Sequence, residues 1–233
     1  MAEEKPVPPA AGSLSVIRKD LQDGTLLARV RAHVSKFTAG QARSDEEIDA
    51  SLDGMLARHE PATDVWLFGY GSLMWNPIIE YEETRTGLLR GWHRRFCLWL
   101  PLARGTPDYP GLTLALDRGG ICQGKLFRIP AEKARAELLL VWRREMWAGA
   151  YGAEWMEIET DKGPVRAIAL IVNPAHPAYA GKLDQAEVVT RLATATGTHG
   201  SCAAYLEETV GELHALGLAD PELEQLWQMV RGL

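Results

Sequence analysis

Apolar positions along this chain alternate between a helical and a strand rhythm, and the changes of rhythm divide it into blocks. From Ser13 to about Ala39, the positions Val16, Leu21, Leu26, Leu27 and Val30 predict a helix, with Gly40 as its stop. A second short helix is predicted from Ser44 to about Arg58, with Glu46 and Glu47 in its first turn. Pro61-Ala62-Thr63-Asp64 then breaks the pattern. Residues 1–12 read as a disordered tail. Residues 1–62 are therefore a tail and helical extension, and residues 63–233 are the main domain.

The main domain opens with Val65-Trp66-Leu67-Phe68, a short apolar run ending at Gly69 and predicted as a buried strand. Gly87 to Leu100 is a further strand candidate. Leu112–Leu116 and Ile121–Ile129 flank Asp117-Arg118-Gly119-Gly120, which reads as a hairpin turn. Trp155–Thr160 and Val165–Val172 flank Asp161-Lys162-Gly163-Pro164, a second hairpin signal. A helix is predicted from Pro130 to about Trp147, since proline suits a first turn. Three more follow: Asp184 to about Thr194, Ser201 to Leu216 with Gly217 as stop, and one opened by Asp220-Pro221. Hairpins with interposed helices predict an α+β fold with a curved or closed sheet.

Composition narrows the function. The 233 residues are 46% hydrophobic and 24% charged, an ordinary globular balance. The net charge is −6 with scattered basic residues, which argues against a nucleic-acid partner. No apolar run approaches the roughly 18 residues of a membrane span. Met1 to Ala11 is acidic and rich in Pro and Ala, unlike a secretory leader, so the expected compartment is the cytoplasm. Cys97, Cys122 and Cys202 are odd in number and widely spaced, so they form neither a disulfide framework nor a metal set. The six histidines show no ligand pairing either.

Two phosphate-binding look-alikes fail on inspection. Gly69-Tyr70-Gly71 follows a strand, but Met74 stands where a dinucleotide fingerprint needs its third glycine. Gly119 to Lys125 has phosphate-loop spacing, but Leu126 stands where Ser or Thr must hold magnesium. What remains at Gly69 to Met74 is a glycine-bearing loop. The N–H groups of Gly71, Ser72 and Leu73 form either a small anion-binding concavity or only a tight turn.

The second candidate is Glu145. At helical spacing it shares a face with Leu138, Val141 and Trp142. A carboxylate on an apolar stripe is paired, or resists ionisation, or escapes to solvent at a fraying end. Arg143 and Arg144 are the adjacent cations. Arg94, Arg95 and Arg104 are either surface charges or a clamp for a substrate carboxylate.

Taken in order, several segments resemble the ChaC family of γ-glutamylcyclotransferases, in particular its longer bacterial members. They are Phe68-Gly69-Tyr70-Gly71-Ser72-Leu73 with Trp75-Asn76-Pro77, Gly91-Trp92-His93-Arg94-Arg95-Phe96, Arg104-Gly105-Thr106 with Pro110-Gly111, and Trp142-x-Arg144-Glu145-Met146. Tyr151, Gly197-x-x-Gly200 and Tyr205-Leu206 add to the likeness. The resemblance implies a small mixed β-barrel flanked by helices. It implies glutathione as the small-molecule substrate, 5-oxoproline and cysteinylglycine as products, and no cofactor or metal. It further implies that Gly69, Tyr70, Gly71, Ser72, Leu73, Met74, Arg104, Tyr151 and Tyr205 bind substrate while Glu145 is the catalytic acid/base. Alternatives within reach are other γ-glutamyl peptides or amines as substrates, or a non-catalytic γ-glutamyl-binding domain. The sequence leaves the oligomeric state open.

Overall fold

The structure is a computed structural model that describes residues 18–28, 31 and 42–233. The predicted tail, the outer parts of the first predicted helix and its Gly40 stop lie outside the described residues. Within them that helix is interrupted. Helix α1 spans Arg18–Gln22. Gly24 then takes φ +75°, and the Asp23 carboxylate accepts the Thr25 N–H at 3.0 Å to restart the turn at Thr25. Helix α2, Asp45–Leu56, begins at a capping box: Ser44 Oγ accepts the Glu47 N–H while Glu47 accepts the Ser44 N–H.

Strand β1 (Val65–Gly69) is the centre of a five-stranded sheet. It is followed by the four-residue helix α3 (Ser72–Trp75), the long strands β2 (Glu83–Leu100) and β3 (Gly111–Ile129), and helix α4 (Ala131–Glu145). A hairpin, β4 (Tyr151–Ile158) and β5 (Val165–Val172), completes the sheet. The strand order is β2-β3-β1-β5-β4, with β1 parallel to β5 and antiparallel to β3. The two outer strands meet at one end. Leu88 on β2 exchanges both main-chain hydrogen bonds with Glu159, just past β4, at 2.9 and 3.0 Å. That bridge curls the sheet into a half-barrel, in line with the curved sheet predicted from the pattern and the small barrel implied by the family resemblance.

Asp117-Arg118-Gly119-Gly120 is not a turn. It lies inside β3, and β2 pairs with β3 on both sides of it. Gly91 on one strand faces Gly119 and Gly120 on the other, all three at positive φ. Two residues opposite one make a bulge, which bends the ribbon at an exposed corner. The reversal lies instead at 101–110, a loop with prolines at 101, 107 and 110. The Gly163 turn is a true hairpin, joining Ile158 to Val165.

Three further helices pack beside the barrel. They are α5 (Gln185–Thr194) capped by Asp184, α6 (Cys202–Ala215) capped by Ser201, and α7 (Pro221–Arg231) capped by Asp220. A two-residue hairpin, β6 (Thr196–Gly197) and β7 (Gly200–Ser201), precedes α6. One core fills the barrel and the underside of α4, with Leu67, Phe127, Ile168, Leu138 and Trp142 all buried. A second joins β2 and β3 to α5–α7 through Phe96, Leu114, Leu192, Leu206 and Leu226. The α3 loop lies between the two cores: Leu73 belongs to the first and Met74 to the second.

Candidate active site

The loop after β1 is shaped by close packing. A Cβ at Gly69 would stand 3.2 Å from the Cβ of Leu73 and from the Phe127 ring. Gly71 starts α3, and its carbonyl accepts the Met74 N–H at 2.8 Å. The Met74 side chain is buried, so both its N–H and its side chain are committed internally. Tyr70 is buried too, and Arg94 donates to its carbonyl at 2.7 Å.

Helix α4 delivers Glu145 to this loop. Its apolar stripe (Leu138, Val141, Trp142) faces the barrel core, so the last residue of the helix is carried inward with it. The Glu145 side chain keeps only 16% of its surface exposed. Arg144 joins it to the loop. The guanidinium Nε lies 2.9 Å from Glu145 Oε1, Nη1 donates to the Asn76 carbonyl at 2.7 Å, and Nη2 donates to Ser72 Oγ. Glu145 is therefore both buried and paired, and its partner is Arg144. Arg143 points away, to the Leu21 carbonyl at 2.9 Å.

Burial pushes the Glu145 carboxyl above its ordinary value, while Arg144 pulls it down. Tyr70, Tyr151 and Tyr205 feel the Glu145 charge, and all three phenols are pushed up, burial being the main cause for each. The three tyrosines that the family resemblance nominated thus lie within electrostatic reach of one carboxylate. Tyr151 donates to the Leu114 carbonyl at 2.8 Å. Tyr205 lies edge-on to Trp75 and Phe96, and its hydroxyl is 2.8 Å from where a Gly71 Cβ would be.

Arg104 stands behind Tyr205, its guanidinium 5.4 Å from the ring centre. It donates to the Ser201 carbonyl at 3.0 Å and lies 3.6 Å from Glu208 Oε2. Its contacts are to Tyr205, Ser201 and Glu208 rather than to the Glu145 pair. Arg94 and Arg95 are not free for a substrate. Arg94 is committed to the Tyr70 and Gln123 carbonyls and to Asp220, and Arg95 to Asp117 and His93. Two surface clefts, one lined by Ile79, Tyr81 and Lys133 and the other by Thr86, Gln123 and Asp161, do not include Glu145.

Sequence reasoning held Arg143 and Arg144 as alternative partners for Glu145; the structure chooses Arg144, and what the sequence did not show is its grip on Asn76 and Ser72. Neighbours i, i+1 and i, i+2 do not face each other on a helix, so spacing alone did not choose between the two arginines.

The model of the ChaC-like protein family matches residues 65–233. The chain belongs to the ChaC-like family. All the loop, tyrosine, arginine and glutamate positions just described except those of the extension fall inside the matched stretch. The Escherichia coli glutathione-specific γ-glutamylcyclotransferase is 43% identical over 191 residues, covering 82% of this chain and 83% of that protein. The mouse glutathione-specific γ-glutamylcyclotransferase 1 is 31% identical over 147 residues, 61% of this chain and 66% of its own. In fold, the yeast γ-glutamyl cyclotransferase specific to glutathione superposes with a TM-score of 0.67 at 20% identity, over 73% of this chain and 96% of that one.

Proposed function

We propose that this ChaC-like chain cyclises the γ-glutamyl group of glutathione, releasing 5-oxoproline and cysteinylglycine, with Glu145 moving the protons. The observation that carries this is the buried carboxylate of Glu145, tied through Arg144 to Ser72 on the glycine loop. Family membership and the activity printed in its relatives' names support the same reading.

The substrate supplies its own nucleophile. The α-ammonium gives a proton to Glu145, and the free amine attacks the γ-carbonyl carbon. A new C–N bond closes a five-membered ring, and the carbonyl oxygen becomes an oxyanion. As the oxyanion collapses, the bond to the cysteinyl nitrogen breaks, and that nitrogen takes the proton from Glu145. The ring nitrogen then gives its second proton to the freed Glu145 carboxylate, which passes it to the released amine, so that cysteinylglycine leaves as the ammonium and the lactam is neutral. Atoms and charge balance without water entering.

Holding the glutamyl arm curled supplies proximity, which in intramolecular reactions is equivalent to about 10⁵–10⁸ M. A carboxyl raised towards neutrality by burial is suited to taking and returning a proton. Among the described residues none accepts the N–H groups of Gly71, Ser72 or Leu73, which leaves them for the substrate α-carboxylate or the oxyanion. Tyr70, Tyr151 and Tyr205 wall the ring-closing atoms, and Arg104 is positioned for the distal carboxylate.

Cytoplasmic residence belongs to the same proposal. Cys97, Cys122 and Cys202 are buried and unpaired, in keeping with a reducing compartment. No helix among the described residues is long and apolar enough to cross a membrane.

The test is incubation with glutathione, γ-glutamylcysteine and γ-glutamylalanine in parallel, with mass detection of 5-oxoproline. The expected result is 5-oxoproline released fastest from glutathione. Absence of 5-oxoproline from all three would sink the reading.

A further inference from the structure

The segment that leaves the glycine loop carries a backbone outlier. Ile78 has φ +59°. A β-branched residue in the left-handed region is strained, and such strain persists only where the surroundings over-determine it. The surroundings here include the part of the chain that precedes the family-matched stretch. Arg18 on α1 donates from Nη1 to the Ile78 carbonyl at 3.0 Å. The same guanidinium forks onto Glu137 of α4, with Nη2 2.6 Å from Oε1. Glu137 is buried, and its Oε2 also accepts the Glu80 N–H at 2.8 Å. Leu21 of α1, itself buried, packs with Leu140 of α4 and with Ile78.

Two residues earlier, the Asn76 carbonyl is held by Arg144. Residues 76–78 are thus gripped by two arginines, one from α1 and one from α4. The second of these also holds Glu145. If Ile78 were to relax to negative φ, the peptide planes on either side of it would turn, and Pro77, whose ring fixes its own φ, would pass that turn on to the Asn76 carbonyl held by Arg144.

We propose that Arg18 is a positioning residue for the cyclisation. It clasps Ile78 in its strained conformation, which keeps Asn76 on Arg144 and Arg144 aimed at Glu145. The inference rests on the reading of Glu145 as proton carrier. It gives the segment before residue 65 a part in the chemistry without touching substrate.

The test compares full-length parental protein with Arg18→Ala, Ile78→Gly, the double variant and Arg135→Ala. Arg135 ties α2 to α4 through Asp49 and Asp53 and does not touch residues 76–80, so its loss unfastens the extension elsewhere. Two quantities are read: kcat for 5-oxoproline release per folded enzyme, and hydrogen exchange of peptides covering residues 76–80. Arg18→Ala is expected to lower kcat roughly ten- to a hundredfold with KM changed less than about threefold, because misplacement acts on the chemical step. Exchange at 76–80 should quicken. Ile78→Gly placed in the Arg18→Ala background should recover most of the lost kcat, since glycine holds positive φ without strain. Arg135→Ala should keep the parental kcat.

The proposal is overturned if Arg18→Ala keeps parental kcat and exchange, if Arg135→Ala loses as much kcat, or if the added glycine recovers none. Parental protein that makes no 5-oxoproline would sink the catalytic reading instead. The exchange data would then still decide whether Arg18 clasps Ile78.

Discussion

A methyl group on Gly71 would stand 2.8 Å from the hydroxyl oxygen of Tyr205. That separation is inside van der Waals contact, and the Tyr205 ring is held by Trp75 and Phe96, so the phenol has little room to retreat. Gly71→Ala is expected to destabilise the protein by about 1–3 kcal/mol, the usual cost of overpacking. Tyr205→Phe removes the offending oxygen. Combined with Gly71→Ala it should cost less than the sum of the single changes, because the two share one contact. Urea unfolding of the three variants measures this. Strict additivity would mean that the pair does not touch.

Glu145→Gln removes the proposed proton carrier and keeps its shape. Turnover should fall by about 10²–10⁴-fold, the span of general acid–base catalysis. Stability should move the other way. The raised carboxyl means that the folded protein holds the Glu145 proton more tightly than the unfolded chain does. Stability linked to that proton is complete below the ordinary value of 4.5 and is lost as pH rises through the higher folded value. At pH above the raised folded value the parental protein bears the cost of a buried charge that Gln does not have. Thermal melts at pH 7 should therefore show Glu145→Gln at or above the parent, with the advantage gone below pH 4.5. A clear loss of Tm at pH 7 would contradict the burial argument.

Much of this arrangement was legible in the sequence. The stripe Leu138, Val141, Trp142 placed Glu145 on the buried face of its helix, and the cap residues Ser44, Asp184, Ser201 and Asp220 marked four helix starts. Glycine was ambiguous, because a positive φ serves a turn and a bulge equally. Gly163 made a turn and Gly119-Gly120 a bulge, and the choice depended on Gly91, some 28 residues away, supplying the opposite side. The Arg144 grip on Asn76 and Ser72 spans 68 and 72 residues, so no local pattern could reveal it. The same is true of Arg94, whose partners come from three separate elements.

The acid limb of the pH–rate profile should respond to Arg144. In the proposed mechanism the ionised form of Glu145 takes the first proton, so kcat/KM should rise with pH through the raised carboxyl value. Arg144 is the charge that pulls this value down. Arg144→Ala should therefore carry the limb to higher pH, and Arg144→Lys should carry it less far, since the positive charge stays. A limb that stays in place in both variants would show that another group controls the rate.

Arg94 is the most deeply buried cation described in the molecule's loop–helix junction, with a side chain 1% exposed. Its Nη1 and Nη2 reach the Tyr70 and Gln123 carbonyls. Its Nε lies 2.8 Å from Asp220 Oδ2, close enough for an ion pair although off the axis of a hydrogen bond. Asp220 in turn accepts the Leu223 N–H at 3.2 Å to cap α7. Arg94→Met would leave two carbonyls and a carboxylate without their cation, and should destabilise by about 3–5 kcal/mol. Arg94→Lys keeps the charge but lacks the planar fork, so it should recover only part of that loss. Equilibrium urea unfolding gives both values. A Met variant within about 1 kcal/mol of the parent would mean that the junction repacks around the missing charge, as well-packed apolar replacements of buried ion pairs sometimes do.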